Sequence, residues 1–375
     1  MTVFDLENIS DGARVYLVPV GSVWGGVEGM RTAVPGLRFL AAKIVVRDGG
    51  DLIWQRHVPA GELEGVLEAL PESLRAQAHV QKAALEAPRP NIALPGRDMP
   101  LAFTKPRIMG VLNVTPDSFS DGGQYLDADA AVRRARQMIA EGADIIDIGG
   151  ESTRPGAKPV WEGEEAERVV PVIEALQSDG VPLSIDTRHS FVMEKALTAG
   201  AHIINDVSAL EYDGDSIGVA AGSNAPVVLM HSQGTPETMQ DNPSYGHVLY
   251  DVYDYLVSRI QACEIAGIDR ARLIMDPGIG FGKRVVQDNL ALISGLPLFL
   301  TLGCPILLAA SRKRFIGAIT GEEEASRRVP GSLTAALRGV ELGAQIIRVH
   351  DVAETSQALK LVQAFHDAAI MDGQL

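Results

Sequence analysis

The chain combines 375 residues with a hydrophobic content of 46% and a formal net charge of −15. This length accommodates one large domain of ~250 residues and a smaller one, and the acidic balance argues against a general nucleic-acid binder. An anionic substrate would therefore need a local cluster of basic residues. The two cysteines, Cys263 and Cys304, lie far apart in the sequence, which favours a reducing compartment without disulfides.

The first ~90 residues are expected to form a small α/β unit of their own. The N-terminus shows no basic region followed by an apolar run, so we expect no signal peptide. Strand-like runs cover 14–20, 37–46 and 51–58, and helical patterns cover 63–70 and 72–85. We assign residues 1–88 to an N-terminal domain of unknown role, with a structural or dimer-supporting extension as the simplest interpretation. The proline-rich stretch 86–100, EAPRPNIALPGRDMP, is predicted to be a linker.

After the linker, short apolar runs alternate with amphipathic stretches, as in βα units with a parallel sheet. The predicted strands are RIMGVLN (107–113), ADIIDIG (143–149), PLSID (182–186), HIIND (202–206), PVVLM (226–230), RLIMD (272–276), PILLAA (305–310) and IIRVH (346–350). Eight such units in ~250 residues predict a (β/α)8 TIM barrel, with a doubly wound sheet as the alternative. The uncharged stretch 290–311 contains turn residues, so we interpret it as buried elements of a soluble, cytoplasmic protein rather than a membrane span.

Polar residues stand at the ends of these strands, and a barrel collects those ends on one functional face. Asp206 and Asp147 could each be a helix N-cap, but Lys313, Arg348 and His350 are not of the residue types favoured at an N-cap. The strand-end residues are Asn113, Asp147, Asp186, Asn205, Asp206, Met230, His231, Asp276, Ser311, Lys313, Arg348 and His350. A charge on an otherwise apolar strand is costly to bury without a partner.

The residue types on this face indicate two kinds of ligand group. Arg154, Lys283, Lys313 and Arg348 can hold an anion, whereas Asp carboxylates can receive the amide and amine edge of a flat, nitrogen-rich ring. The spacing of His, Cys and Asp does not match a zinc site. A magnesium ion held mainly by substrate phosphates would need only one or two protein oxygens.

The stretch DPGIGFGK, residues 276–283, resembles a phosphate loop at first sight. It matches neither the Walker pattern, because Pro277 replaces the first glycine, nor the dinucleotide pattern. We therefore interpret it as the tight exit of the sixth strand, with Lys283 facing either substrate or solvent. The loops 113–123 and 149–157 are expected to close over a substrate.

Eight motifs in this order resemble the dihydropteroate synthase family over residues 92–370. They are IMGVLNVTPDSFSDGG, DIGGESTRPGA, SIDTR, INDVSAL, VLMHSQGTP, DPGIGFGK, SRKRFIG and IIRVHDV. The resemblance implies a catalytic, pterin-binding TIM barrel over 92–375. It also implies a transferase that joins 4-aminobenzoate to 6-hydroxymethyl-7,8-dihydropterin diphosphate in folate biosynthesis, acting on small molecules as a homodimer, without nucleic acid or membrane.

Carried over by position, the resemblance implies the following roles. Catalytic residues would be Asp186, Arg154, Lys313 and Asp121. The pterin would contact Asp186, Asn205, Asp276, Lys313 and Met230, and the pyrophosphate would contact Asn113, Arg154, Arg348 and His350. Aminobenzoate would lie among Ser118, Phe119, Thr153, Arg154, Pro155, Phe281, Ser311 and Lys313. Mg²⁺ would be the cofactor, bound through Asn113 and the phosphates.

Two other functions are compatible with a pterin-binding barrel. One is methyl transfer from a methylfolate to a corrinoid protein, which would not need a pyrophosphate site or the STRPG and SRKRF loops. The other is a non-catalytic homologue that only binds pterin, for which loss of loop residues would be expected.

Overall fold

The computed structural model describes residues 6, 9–25, 28–115, 124–151, 160–234 and 238–372. Among these residues, a small N-terminal unit precedes a ring of parallel strands surrounded by helices. Its strands are β1 (Arg14–Trp24), β2 (Met30–Arg31), β3 (Leu37–Asp48) and β4 (Asp51–Pro59), and its helices are α1 (Leu63–Glu68) and α2 (Glu72–Glu86). The predicted strands and helices of this unit are therefore present, and β2 is an addition.

The barrel contains eight strands. They are β5 (Arg107–Asn113), β6 (Ile145–Gly149), β7 (Leu183–Asp186), β8 (Ile203–Asp206), β9 (Val227–Met230), β10 (Leu273–Asp276), β11 (Leu307–Leu308) and β12 (Ile346–Val349). The helices around them are α3 (Gln124–Glu141), α4 (Glu162–Leu176), α5 (Ser190–Thr198), α6 (Ser216–Gly222), α7 (Val248–Ile265), α8 (Gln287–Ser294), α9 (Arg314–Thr320), α10 (Val329–Glu341) and α11 (Val352–Asp372).

The parallel strands form a ring, which confirms the predicted TIM barrel. The order β10-β9-β8-β7-β6-β5-β12-β11 leaves one seam, and a parallel bridge between Met275 and Ile306 joins its two sides. An open, doubly wound sheet is thereby excluded. Gly142 and Gly200 adopt positive φ values of 111° and 107° just after α3 and α5, as expected for residues that end a helix.

The floor of the barrel is closed by part of the segment that we predicted to be a linker. Ile92 and Leu101 pair as an antiparallel bridge with N–H···O distances of 2.9 and 2.8 Å. Leu94 and Phe103 are buried with them against the apolar residues inside the barrel. The linker interpretation is therefore wrong from Ile92 onward, because these apolar side chains fill the N-terminal end of the barrel.

The free edge of β1 is covered by α2. Gln81 accepts a hydrogen bond from Leu17 N at 2.8 Å and donates one to Val15 O at 2.7 Å. Gln77, one turn earlier, accepts from Val15 N at 3.2 Å. Two side-chain amides thus pair the edge groups that would otherwise remain open for pairing with another strand.

The N-terminal unit packs directly on the barrel. Tyr16 Oη donates to Asp254 Oδ2 on α7 at 2.8 Å, and the rings of Trp24 and His366 stack with centroids 3.6 Å apart. Arg89 donates to the carbonyl of Leu300. The apolar residues of the two parts form one continuous core, so their packing stabilises both.

Two further sequence expectations concern cysteines and membranes. Cys263 and Cys304 are free thiols and both are buried. Among the helices of the described residues, none is long and apolar enough to cross a bilayer. The uncharged stretch 290–311 is divided among α8, a short 3-10 helix and β11.

Candidate active site

The C-terminal mouth of the barrel contains a buried ion cluster around Arg348. Its Nε donates to Asp147 Oδ2 at 2.6 Å, and its Nη2 donates to Asp186 Oδ2 at 2.6 Å. Asn205 Nδ2 donates to the same oxygen of Asp147 at 2.9 Å. Three neighbouring strands and β12 therefore direct polar side chains to one point inside the barrel.

Burial away from water disfavours the charged forms of the residues in this cluster and shifts their pKa values. Burial raises the pKa of Asp186, while Arg348 opposes that rise and Asp147 adds to it. Although burial disfavours the Arg348 cation, the carboxylates of Asp147 and Asp186 hold its pKa above the ordinary value. Arg348 is therefore a fixed cation, and Asp186 gains a proton more easily than an exposed aspartate does.

A cavity of about 670 Å³ opens above the cluster. The predicted site residues that line it are Asn113, Asp186, Phe281, Ser311, Lys313, Arg348 and His350. Its volume falls in the ~300–1,000 Å³ range of small-molecule sites. The cavity thus brings together members of the predicted pterin, pyrophosphate and aminobenzoate sets.

Lys313 lies between the ion cluster and the exit loop of β10. Its Nζ donates to the carbonyl of Ile279 and lies 4.7 Å from the centroid of the Phe281 ring. Burial lowers the pKa of Lys313 to about 8, with Asp276 opposing the change. The side chain therefore brings a cation and an aromatic face together at one wall of the cavity.

His350 and Ser311 form a second polar pair at the mouth. The distance from His350 Nδ1 to Ser311 Oγ is 3.0 Å, and the backbone N–H of His350 donates to the same hydroxyl at 3.2 Å. The two residues follow β12 and β11, which are adjacent strands. Both residues line the cavity, as Arg348 does.

Three residues predicted to hold the pterin are buried at strand ends and are not among the residues that line the cavity. Asn205 is bound to Asp147, and Asp276 Oδ1 accepts a hydrogen bond from Gly278 N at 2.7 Å. Met230 is 3% exposed beside them. Burial raises the pKa of Asp276, against the effect of Lys313. Their ligand contacts remain predictions.

Six predicted site residues fall outside the described residues. Ser118, Phe119 and Asp121 follow β5 in the sequence, and Thr153, Arg154 and Pro155 follow β6. Their roles stay as the resemblance implies them.

Sequence reasoning assigned no site role to three polar residues at the mouth. Asp147 was interpreted as a possible helix N-cap, but it is fully buried within β6 and binds Arg348. Glu151 and Arg188 form a pair with two contacts of 3.1 Å, and each side chain is 5% exposed. The signal in the sequence was an aspartate in an otherwise apolar run. ADIIDIG contains Asp147, and PLSID ends in Asp186.

Oxygen ligands for a magnesium ion are available at the cavity. Asn113 lines it, and its amide oxygen is a hard ligand of the kind Mg²⁺ uses together with substrate phosphates and water. Among the described residues, Glu151, Glu165 and His189 also group ligand atoms within 4.8 Å, although Glu151 is already paired with Arg188. Asn113 therefore fits the predicted ion better.

Comparison with known proteins identifies the relatives of this chain. The family described as pterin binding enzyme matches residues 109–350. The dihydropteroate synthase of Neisseria meningitidis serogroup B is 50% identical over 269 residues, which cover 70% of this chain and 94% of that protein. The N-terminal unit over residues 14–86 lies outside the family match.

Solved structures give the same relationship. Dihydropteroate synthase of Xanthomonas albilineans with 4-aminobenzoic acid has a TM-score of 0.69 and 47% identity, and the match covers 74% of this chain and 98% of that one. The same enzyme in complex with 7,8-dihydropteroate has a TM-score of 0.67 and 45% identity, with the same coverage. The chain therefore belongs to the dihydropteroate synthase family of pterin-binding enzymes.

Proposed function

We propose that this chain joins 4-aminobenzoate to 6-hydroxymethyl-7,8-dihydropterin diphosphate, giving 7,8-dihydropteroate and pyrophosphate. The observation that carries the proposal is the buried cluster of Arg348, Asp147 and Asp186 beneath a cavity of substrate size. Solved relatives have 4-aminobenzoic acid or 7,8-dihydropteroate bound. The reaction breaks the C–O bond to the diphosphate, forms a C–N bond to the amine and releases one proton.

Asp186 receives the polar edge of the pterin in this proposal. It is the carboxylate of the cluster that lines the cavity, and a carboxylate matches an amide-plus-amine edge with two directional hydrogen bonds. Asn205 and Asp276 support the same ring from the ends of β8 and β10. The negative charge of Asp186 and Asp276 also stabilises positive charge that develops on the dihydropterin as the C–O bond breaks.

Arg348, His350 and Asn113 receive the diphosphate. All three line the cavity, and Arg154, which follows β6 in the sequence, would complete the set. Asn113 would hold Mg²⁺, which neutralises charge on the leaving group when it is bound. Since Arg348 already contacts two carboxylates, it is held in place before the substrate arrives and loses little freedom on binding.

Phe281, Lys313 and Ser311 receive the aminobenzoate, together with Ser118, Phe119, Thr153 and Pro155 from the two loops. Phe281 offers an aromatic wall, and Lys313 and Ser311 offer donors to a carboxylate. Because the dihydropterin itself can carry the developing charge, no side chain need act as a nucleophile. Positioning and electrostatic stabilisation supply the catalysis.

A direct assay tests this proposal. The purified chain is incubated with both substrates and Mg²⁺, and dihydropteroate and pyrophosphate are quantified, with each substrate and the metal omitted in turn. Equal amounts of the two products are expected only in the complete mixture. Pterin binding without either product would instead support a non-catalytic homologue, and methyl transfer from a methylfolate to a corrinoid protein would support the methyltransferase.

The same resemblance leads us to propose a homodimer that acts in the cytoplasm, with the N-terminal unit as a structural extension. The unit supports the barrel through the shared core and the Tyr16–Asp254 contact. Sedimentation velocity on the full chain tests the dimer, and a monomer at micromolar concentration would contradict it.

A further inference from the structure

Lys283, the last residue of DPGIGFGK, is only 1% exposed. Its Nζ lies 2.8 Å from His231 Nδ1 and donates to the carbonyls of Phe281 at 2.8 Å and Gly278 at 3.2 Å. An ammonium group has three protons to donate, and these three acceptors match them. The side chain therefore does not reach solvent: it is enclosed beneath the loop to which it belongs and contributes to the lining of the cavity there.

This arrangement is costly for a cation. The three close acceptors are neutral, and burial lowers the pKa of Lys283 to about 7. Burial and the neighbouring lysine lower the pKa of His231 to about 2, so its imidazole is neutral and Nδ1 can accept the bond. Burying an ammonium group lowers the stability of the fold unless its three N–H donors find acceptors. The three contacts of Lys283 provide those acceptors.

The loop above Lys283 lies directly on the segment that follows β9. At Gly278, φ is 72°, and a Cβ would stand 1.8 Å from the carbonyl oxygen of His231. At Gly282 a Cβ would stand 2.5 Å from the carbonyl oxygen of Gln233. Glycine at these two positions permits the close approach, and the Lys283 ammonium joins the two layers through His231 and the loop carbonyls.

The part of the loop that Lys283 holds carries the aromatic wall of the cavity. Ile279 and Phe281 lie within the span 278–281, whose first and last carbonyls accept hydrogen bonds from Lys283 Nζ. The carbonyl of Ile279 accepts from Lys313, and the Phe281 ring lies 4.7 Å from the Lys313 ammonium. A shift of this span would therefore move both the ring and the hydrogen-bond partner of Lys313.

We propose that Lys283 is a positioning residue, which fixes the loop 278–281 so that Phe281 and Lys313 keep their places at the aminobenzoate wall. The inference rests on the proposed function, since it assigns the loop to one of the two substrates. It predicts that loss of the ammonium weakens the use of 4-aminobenzoate much more than the use of the dihydropterin diphosphate, because the hydrogen bonds of Lys283 go to His231, Gly278 and Phe281 and not to Asp186 or Arg348. A link to the pterin side is the hydrogen bond from Gly278 N to Asp276, so a small effect on the diphosphate substrate is expected.

The first test is Lys283→Met, which keeps the length of the side chain and removes the charge. We expect the KM for 4-aminobenzoate to rise about 10- to 100-fold, as for a displaced binding group, while the KM for the diphosphate stays within about threefold. Lys360→Met, on the exposed face of α11, is the matched control and should leave both values unchanged. Equal rises in both KM values would overturn the proposal.

A double-mutant cycle tests whether Lys283 acts through Phe281. Phe281→Leu alone should raise the KM for 4-aminobenzoate, and adding Lys283→Met should raise it by no more than about twofold further. Independent, multiplicative effects of the two substitutions would overturn the proposal. A second variant applies if Lys283→Met fails to fold. His231→Leu removes one acceptor and leaves the ammonium in place, so it should raise the KM for 4-aminobenzoate by a smaller factor. An unchanged KM for 4-aminobenzoate would overturn the proposal.

Binding of 7,8-dihydropteroate, measured by calorimetry, separates this inference from the proposed function. A wild-type chain that forms no dihydropteroate would defeat the proposed function. Weaker binding of this compound by Lys283→Met than by Lys360→Met would still support the positioning role, because the compound contains both rings. Equal binding by the two variants would overturn it.

Discussion

The two ends of the barrel are built from the same eight strands but carry opposite kinds of side chain. At the floor, Ile92 and Phe103 pack among apolar residues inside the ring. At the mouth, Arg348 binds the buried carboxylates of Asp147 and Asp186. The difference shows that the two ends of each strand serve different purposes. Apolar burial at the floor stabilises the fold, whereas buried ion pairs such as those at the mouth add little to its stability or lower it.

The floor should respond to mutation through stability. Phe103→Ala removes a buried ring from the apolar cluster and should lower the free energy of unfolding by ~3–5 kcal/mol. The kcat/KM of the molecules that remain folded should stay close to that of the wild type, because no floor residue lines the cavity. Urea unfolding and assays well below the transition check this. A large loss of kcat/KM at unchanged stability would break the comparison.

The mouth should respond through turnover. Asp186→Asn keeps the shape of the side chain but truncates a buried charged pair, which costs ~2–5 kcal/mol. If this loss is felt in the transition state, kcat/KM falls roughly 30- to 5,000-fold. Steady-state kinetics together with a cooperative unfolding transition check it. A variant within threefold of the wild type would remove Asp186 from the site.

Arg348→Ala sharpens the comparison within the mouth itself. It removes the cation from the diphosphate side of the cavity, so affinity for the diphosphate substrate should fall at least about tenfold more than affinity for aminobenzoate. Separate KM measurements for the two substrates check this. Equal losses for both would count against the placement of Arg348 in the pyrophosphate site.

The acidic residues buried near the mouth should also make the free energy of unfolding depend on pH. Glu165 on α4 is fully buried, and burial raises its pKa from 4.5 to about 8, with Glu151 and Asp186 adding to the rise. A raised carboxyl pKa means that the fold favours the protonated form, so stability is lost as pH rises from about 5 to 8. Relative to the wild type, Glu165→Gln should become more stable over that window.

The slope of that relative gain should approach ~1.36 kcal/mol per pH unit inside the window. Chemical unfolding of both proteins at several pH values measures it. A stability difference that does not change with pH would mean that Glu165 titrates normally in the fold.

The sequence predicted the strands and most of the mouth because apolar runs that end in a charge are informative by themselves. It could not predict that Asp147 binds Arg348, since the two residues are 201 positions apart and meet only when the ring closes. The floor was missed because Ile92 and Leu101 stand among prolines without a periodic pattern. The burial of Lys283 could not be predicted because its partners are largely backbone carbonyls. Every residue has one, so the sequence does not reveal which of them accept a hydrogen bond from Lys283.

The central claim is that the buried carboxylates around Arg348 serve the reaction rather than the fold, and Asp147→Asn tests it most directly. The measurement is kcat/KM for both substrates, made beside the free energy of unfolding. We predict a loss of at least roughly 30-fold in kcat/KM, with a cooperatively folded protein. Activity within threefold of the wild type, with or without a change in stability, would contradict the claim.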